Sequence, residues 1–165
     1  MSIILIGGPA SGKTTVGKAL ARRKHLPFYD TDHFVEETAG QTITHIFASE
    51  GEAVFRALET KALRTLLQRD EGVIATGGGI IKSELNRRLL LTVKPVVYLY
   101  VSVATQLART EGDQTRPLLT GADRKDILTR LYEERDLLYR QAAGLVVDAN
   151  TTAMAVVKSI EEYGF

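Results

Sequence analysis

The sequence predicts an α/β domain whose parallel sheet is covered by helices on both faces, and three observations carry that reading. Short, wholly apolar runs recur along the chain (Ile3-Ile4-Leu5-Ile6, Val73-Ile74-Ala75, Val96 to Val101, Leu145-Val146-Val147), as strands buried on both faces require. Stretches with apolar residues every three or four positions alternate with them, the pattern of helical crossovers between parallel strands. Between the first apolar run and the first helical stretch lies Gly7-Gly8-Pro9-Ala10-Ser11-Gly12-Lys13-Thr14-Thr15. It fits G-x-x-x-x-G-K-[ST], the phosphate-binding P-loop.

In chain order, Ile3 to Ile6 is the first buried strand and Val16 to Lys24 the first helix. The loop between them puts a helix N-terminus, with its free donors and dipole, against a phosphate chain. Gly8, Pro9, Ala10, Ser11, Gly12, Lys13, Thr14 and Thr15 would line that chain, the backbone N–H groups of all but Pro9 turning inward around it. Lys13 would place a point charge on the β- and γ-phosphates and Thr14 a hydroxyl on Mg²⁺. Ala10 stands where such loops often have Gly, which questions whether that position needs a positive φ.

Leu26-Pro27-Phe28-Tyr29 reads as a short strand ending at Asp30-Thr31-Asp32, with Thr31 or Asp32 able to cap a helix from His33 to Thr38. Ligands of open α/β sheets sit beyond the carboxyl ends of the strands. Asp30 and Asp32, two apart, can both face that cleft, one towards Mg²⁺ and one towards an acceptor hydroxyl, unless they only cap the helix. The third strand ends in Thr76 rather than an acid, so the metal's carboxylate is expected from Asp30. Thr42 caps a second short helix broken at Gly51. Glu52 to Gln68 then carries an apolar stripe of Phe55, Leu58, Ala62 and Leu66.

Val73 to Ala75 leads into Thr76-Gly77-Gly78-Gly79. Three successive glycines cost much backbone entropy on folding, which points to close approach by a small polar ligand rather than a plain turn. A helix over Ser83 to Leu91, a strand from Val96 and a helix from Ala104 to Arg109 follow. Residues 110–122 have loop composition, and a loop that long in a compact domain is usually functional, often a lid. Asp123 can cap a helix to Ala142 striped by Ile127, Leu131 and Leu138, and Leu145 to Val147 and Thr152 to Glu162 are the last strand and helix. Arginine forks grip carboxylates and phosphates. Arg56, with Glu59 three residues on, and Arg135, between Tyr132 and Tyr139, therefore suggest a small anionic acceptor, although most arginines face solvent.

The 165 residues suit one domain spanning 1–165. A net charge of +1 without a basic block argues against nucleic acid and membrane surfaces as partners. The lack of Cys excludes disulfides, zinc–thiolate sites and a cysteine nucleophile. No apolar run approaches the roughly 18 residues of a membrane span, and with no leader ahead of the first strand a cytoplasmic location is expected.

Six ordered motifs resemble the shikimate kinase family nearly end to end. They are the P-loop, Phe28-Tyr29-Asp30-Thr31-Asp32, Gly51-Glu52-x-x-Phe55-Arg56-x-x-Glu59, Thr76-Gly77-Gly78-Gly79, Arg109 with Arg116-Pro117-Leu118-Leu119, and Glu134-Arg135-x-x-x-Tyr139. The resemblance implies a three-layer fold of the nucleoside-monophosphate-kinase type, with a five-stranded parallel sheet in order 2-3-1-4-5, a lid over about 110–122 and an acceptor-binding helical region over about 31–60. It implies ATP-dependent phosphorylation of the 3-hydroxyl of shikimate on the route to chorismate and the aromatic amino acids. Residues matching Lys13 and Arg116 neutralise the transferring phosphoryl group, Thr14 and Asp30 match the Mg²⁺ site, and Asp32 matches the residue that binds and deprotonates the acceptor. Arg56, Arg135 and the Gly77, Gly78, Gly79 turn match the shikimate contacts, and Arg109 a residue along adenine. A monomer is expected. The alternatives from the residues alone are a kinase of gluconate or a nucleoside monophosphate, and a nucleotide-dependent switch protein, against which stands the absence of an N-K-x-D segment.

Overall fold

The computed structural model describes residues 2–93, 95–111 and 123–165. Five strands, β1 (Ser2–Ile6), β2 (Phe28–Asp30), β3 (Gly72–Ala75), β4 (Val96–Tyr100) and β5 (Leu145–Asp148), form one sheet. Its order is β2-β3-β1-β4-β5 and every pairing is parallel. Strands of one parallel sheet cannot be joined by tight turns, so each crossover is helical. The helices are α1 (Lys13–Lys24), α2 (Thr31–Ala39), α3 (Ile43–Glu50), α4 (Glu52–Leu67), α5 (Glu84–Leu91), α6 (Val103–Thr110), α7 (Arg124–Ala142) and α8 (Ala153–Glu162).

The two-residue period of the strands sorts the core into two layers. Ile3 and Leu5 of β1 point to one face, where they meet Val16 and Leu20 of α1 and Val157 and Ile160 of α8. Ile4 and Ile6 point to the other, against Leu63 and Leu66 of α4, Leu90 of α5 and Tyr139 of α7. All four β1 side chains are fully buried, so truncating one to Ala would cost about 2–5 kcal/mol. Central β1 is thereby the rigid base from which the P-loop leaves. A third cluster of Val35, Ile46, Phe55 and Ala62 joins α2, α3 and α4 into a separate layer beside the sheet.

Three helices differ from the pattern expected of them. α1 starts at Lys13, three residues early, because its first turn belongs to the phosphate loop and carries no apolar residue for the periodicity to register. α2 starts at Thr31 and its cap is Asp30, not Thr31 or Asp32: Asp30 accepts from the N–H groups of Asp32 and His33. Thr31 is instead fully buried and accepts from Gly77 N–H at 3.0 Å. In α7 the buried positions are Leu128, Arg135, Tyr139 and Ala142, whereas Ile127, Leu131 and Leu138 are half-buried. A charged residue thus occupies the middle of that helix's inner face. The glycine run also continues into a 3-10 turn over Gly78–Lys82 that apolar periodicity does not reveal. Among the described residues, no helix is long and apolar enough to cross a membrane.

Candidate active site

The site forms along the carboxyl edge of the sheet. The P-loop leaves β1, and its geometry follows from two residues in the left-handed region. Gly12, the N-cap of α1, has φ 87° and no side chain with which to cap the helix, so the first-turn amides lack a local side-chain acceptor. Ala10 has φ 59°. The position does need a positive φ, and Ala occupies it at a cost of about 1–2 kcal/mol. Lys13 reaches back across the loop, its Nζ donating to Gly7 O at 2.6 Å, Gly8 O at 3.0 Å and Ser11 Oγ at 3.3 Å. A phosphate oxygen would compete for the same ammonium protons.

Beside the loop, Thr14 Oγ1 donates to Asp30 Oδ2 at 3.3 Å. Asp30 uses its other oxygen as the α2 cap, so one carboxylate both starts that helix and is aimed at Thr14. Among the described residues no group of three or more His, Cys, Asp or Glu could hold a metal. A hydroxyl and one carboxylate instead suit Mg²⁺, which keeps most of its shell as water and phosphate oxygen. Arg109 spans from α6 to the loop, donating through Nη1 to Ala10 O at 3.0 Å and through Nη2 to Ala149 O at 2.7 Å and Thr151 O at 3.0 Å. With Ala10 to Val16, Ala149, Thr151, Ala153 and Val156 it walls a cavity of about 440 Å³.

The second half of the site faces the glycine turn. A Cβ on Gly77 would lie 2.6 Å from Asp32 Oδ1 and 3.0 Å from Glu59 Oε2. Only a residue without one allows both carboxyls to approach the turn. On Gly79 a Cβ would strike the Arg56 guanidinium, and on Gly78 it would lie 3.7 Å from both Arg135 Nη1 and Gly7 O. Arg56, Arg135, Asp32 and Glu59 therefore converge on one turn that itself abuts the P-loop. Arg56 donates to Glu59 at 3.0 Å and to Glu52 at 3.4 Å. The Tyr139 hydroxyl donates to Gly78 O and its ring stacks on Tyr98.

The two carboxyl groups are perturbed in the same direction. Burial pushes Asp32 up to about 6, with the neighbouring charge of Asp30 adding to it, while Lys13 and Arg56 pull it down. Its Oδ1 is buried with no hydrogen-bond partner among the described residues. Glu59, 1 % exposed, is pushed up to about 7, again by burial first and against the pull of Arg56. A buried carboxylate near neutrality, next to two guanidinium groups and a P-loop, can accept a proton from a bound hydroxyl.

Comparison with known proteins decides what this combination belongs to. The family model described as shikimate kinase matches residues 9–163. The chain belongs to the shikimate kinase family. A shikimate kinase of Rhodococcus jostii is 46 % identical over 142 residues, covering 86 % of this chain and 84 % of that protein. Among solved structures, this family member is similar to a shikimate kinase from Acinetobacter baumannii in complex with shikimate (41 % identity, TM-score 0.93, covering 98 % of this chain and 91 % of that one). It is likewise similar to the shikimate kinase of Aquifex aeolicus (36 % identity, TM-score 0.86, covering 98 % and 95 %).

The residues expected from sequence fall into two adjoining groups in this family member. Gly8 to Thr15, Asp30 and Arg109 gather around the loop and its cavity. Asp32, Arg56, Gly77, Gly78, Gly79 and Arg135 gather at the glycine turn. Arg116 and all of the expected lid beyond Glu111 lie outside the described residues. Two features escaped the sequence reading. Glu59, which sequence spacing presents only as a partner for Arg56, occupies a buried position in the α4 stripe, where Leu58 is only half-buried. The Ala149–Thr151 wall lies just past β5, at a carboxyl strand end, the position where ligands of open α/β sheets sit.

Proposed function

We propose that this chain transfers the γ-phosphoryl group of ATP to the 3-hydroxyl of shikimate, giving shikimate 3-phosphate and ADP on the route to chorismate and the aromatic amino acids. The observation that carries it is the convergence of Arg56, Arg135 and a buried, high-pKa Asp32 on a glycine turn abutting a P-loop, in a chain of this family.

Phosphoryl transfer asks for positioning and charge neutralisation more than for covalent chemistry. Lys13 and the loop amides hold the phosphate chain, and the cavity beside Arg109 takes the adenosine. Thr14 and Asp30 would hold Mg²⁺, which when bound neutralises phosphate charge. Arg56 and Arg135 take the acceptor's carboxylate, and Gly78 and Gly79 leave room for its ring. Asp32 orients the 3-hydroxyl and accepts its proton as the oxygen bonds to phosphorus and ADP departs. Supporting that role is its pKa of about 6, which leaves it mostly ionised at neutral pH and still basic enough to take a proton. By sequence resemblance, Arg116 supplies a further cation to the transferring group, and residues 110–122 serve as the lid that keeps out water that would otherwise hydrolyse ATP. The enzyme works as a cytoplasmic monomer.

A coupled ADP-release assay with shikimate, gluconate, AMP and CMP as acceptors tests the reading. ADP release that depends on shikimate is expected; release dependent on gluconate or a nucleoside monophosphate alone would overturn it.

A further inference from the structure

One buried amide near the nucleotide side has no part in the chemistry described above. Gln106 lies in α6 and is 4 % exposed. Its Nε2 donates to Pro9 O at 3.0 Å, across 97 residues of sequence. It sits so close to the loop that a Cβ on Gly8 would come within 2.9 Å of Nε2. One turn on, Arg109 takes the next carbonyl, Ala10 O. Two consecutive loop carbonyls are thus gripped by residues three apart on one helix face.

The consequence follows from peptide geometry. In a trans peptide the N–H points opposite to the C=O. Holding Pro9 O against α6 therefore aims the Ala10 N–H away from α6. Holding Ala10 O does the same for Ser11 N–H, which donates back to Gly8 O at 3.4 Å. Between these two peptides sits Ala10 at φ 59°, a conformation a non-glycine residue keeps only when its surroundings over-determine it. Gln106 is part of that surrounding. It is also a poor choice for stability alone, because its Oε1 is buried with no partner among the described residues. Half an unsatisfied amide in the interior is a cost that an apolar side chain of the same length would not carry.

We infer that Gln106 is a positioning residue for the phosphate loop: its bond to Pro9 O sets the peptide plane that presents the Ala10 amide to the β-phosphate. This rests on reading the loop as the ATP and ADP site. Arg109 holds the other plane and contacts the nucleoside side as well, so Gln106 is the position at which loop geometry alone can be changed.

The test is titration calorimetry of ADP and AMP against the wild type and Gln106→Met, with thermal melting of each protein. Wild-type binding of ADP is the control on which the nucleotide reading stands or falls by itself. Gln106→Met is expected to weaken ADP about tenfold and AMP less than twofold, with a melting temperature equal to or above wild type. ADP affinity within twofold of wild type, or equal weakening of ADP and AMP, would overturn the assignment. Should the Met variant not fold, Gln106→Asn, whose amide falls one methylene short of Pro9 O, is read by the same ADP-to-AMP ratio.

Discussion

Asp32→Asn separates the catalytic role proposed for one carboxylate from the cost of burying that carboxylate in the fold. Its native pKa stands at about 6 against 3.8 for a free side chain. The folded protein therefore holds the proton more tightly than the unfolded chain does. The stability tied to that proton is fully present below pH 3.8 and is lost as the pH rises through 6. At about 1.4 kcal/mol per pH unit the loss is about 3 kcal/mol as an upper limit, and about 1–3 kcal/mol once residual solvent contact is allowed for. An isosteric amide carries no such penalty. Urea unfolding at pH 4, 5, 6 and 7.5 should show Asn and wild type nearly equal at pH 4, with Asn ahead by about 1–3 kcal/mol at pH 7.5. That corresponds to a midpoint shift of about 0.5–1.5 M at equal slope. Under the same conditions kcat should fall by about 10²–10⁴, the usual worth of a general base. A stability difference independent of pH would refute the reasoning about the buried charge, and near-normal turnover would remove Asp32 from proton transfer.

Two further substitutions test the turn and the loop. Gly77→Ala puts a methyl 2.6 Å from Asp32 Oδ1 and 3.0 Å from Glu59 Oε2, so it should cost about 1–3 kcal/mol by overpacking along with most of kcat. Gly78→Ala meets only contacts of 3.7 Å or more; chemical denaturation should find it within about 1 kcal/mol of wild type, its kcat/KM for shikimate reduced because the methyl takes acceptor space. Equal stability loss in the two variants would contradict the packing described. Ala10→Gly relieves the left-handed strain, about 1–2 kcal/mol, but frees the unfolded chain by about 0.4–1 kcal/mol. A net gain between about 0 and 1.6 kcal/mol is expected in the melting curve, and a clear loss would mean that Ala10 is not strained.

How far the sequence carries depends on which physical signal a residue leaves in it. Apolar runs such as Ile3 to Ile6 leave a strong one, because a strand buried on both faces admits little else, and every strand lay within one or two residues of its expected place. The strand order did not come from periodicity: alternation alone says nothing about which strand lies beside which, and 2-3-1-4-5 rested on the six-motif resemblance. Around the site, the same periodic reasoning slips where charged groups replace apolar ones. Glu59 and Arg135 occupy inner positions of α4 and α7, so a search for apolar stripes slides to Leu58 on one helix and to Ile127, Leu131 and Leu138 on the other. The slip marks the site, since a helix buries a charge only where a partner or ligand offsets its desolvation. Both displaced positions converge on the glycine turn, one as the carboxyl beside Asp32 and the other as the guanidinium beside Gly78. Gln106 left no comparable mark, because a glutamine beside Thr105, Arg109 and Thr110 in an eight-residue helix reads as solvated, and its burial depends on a loop 97 residues away.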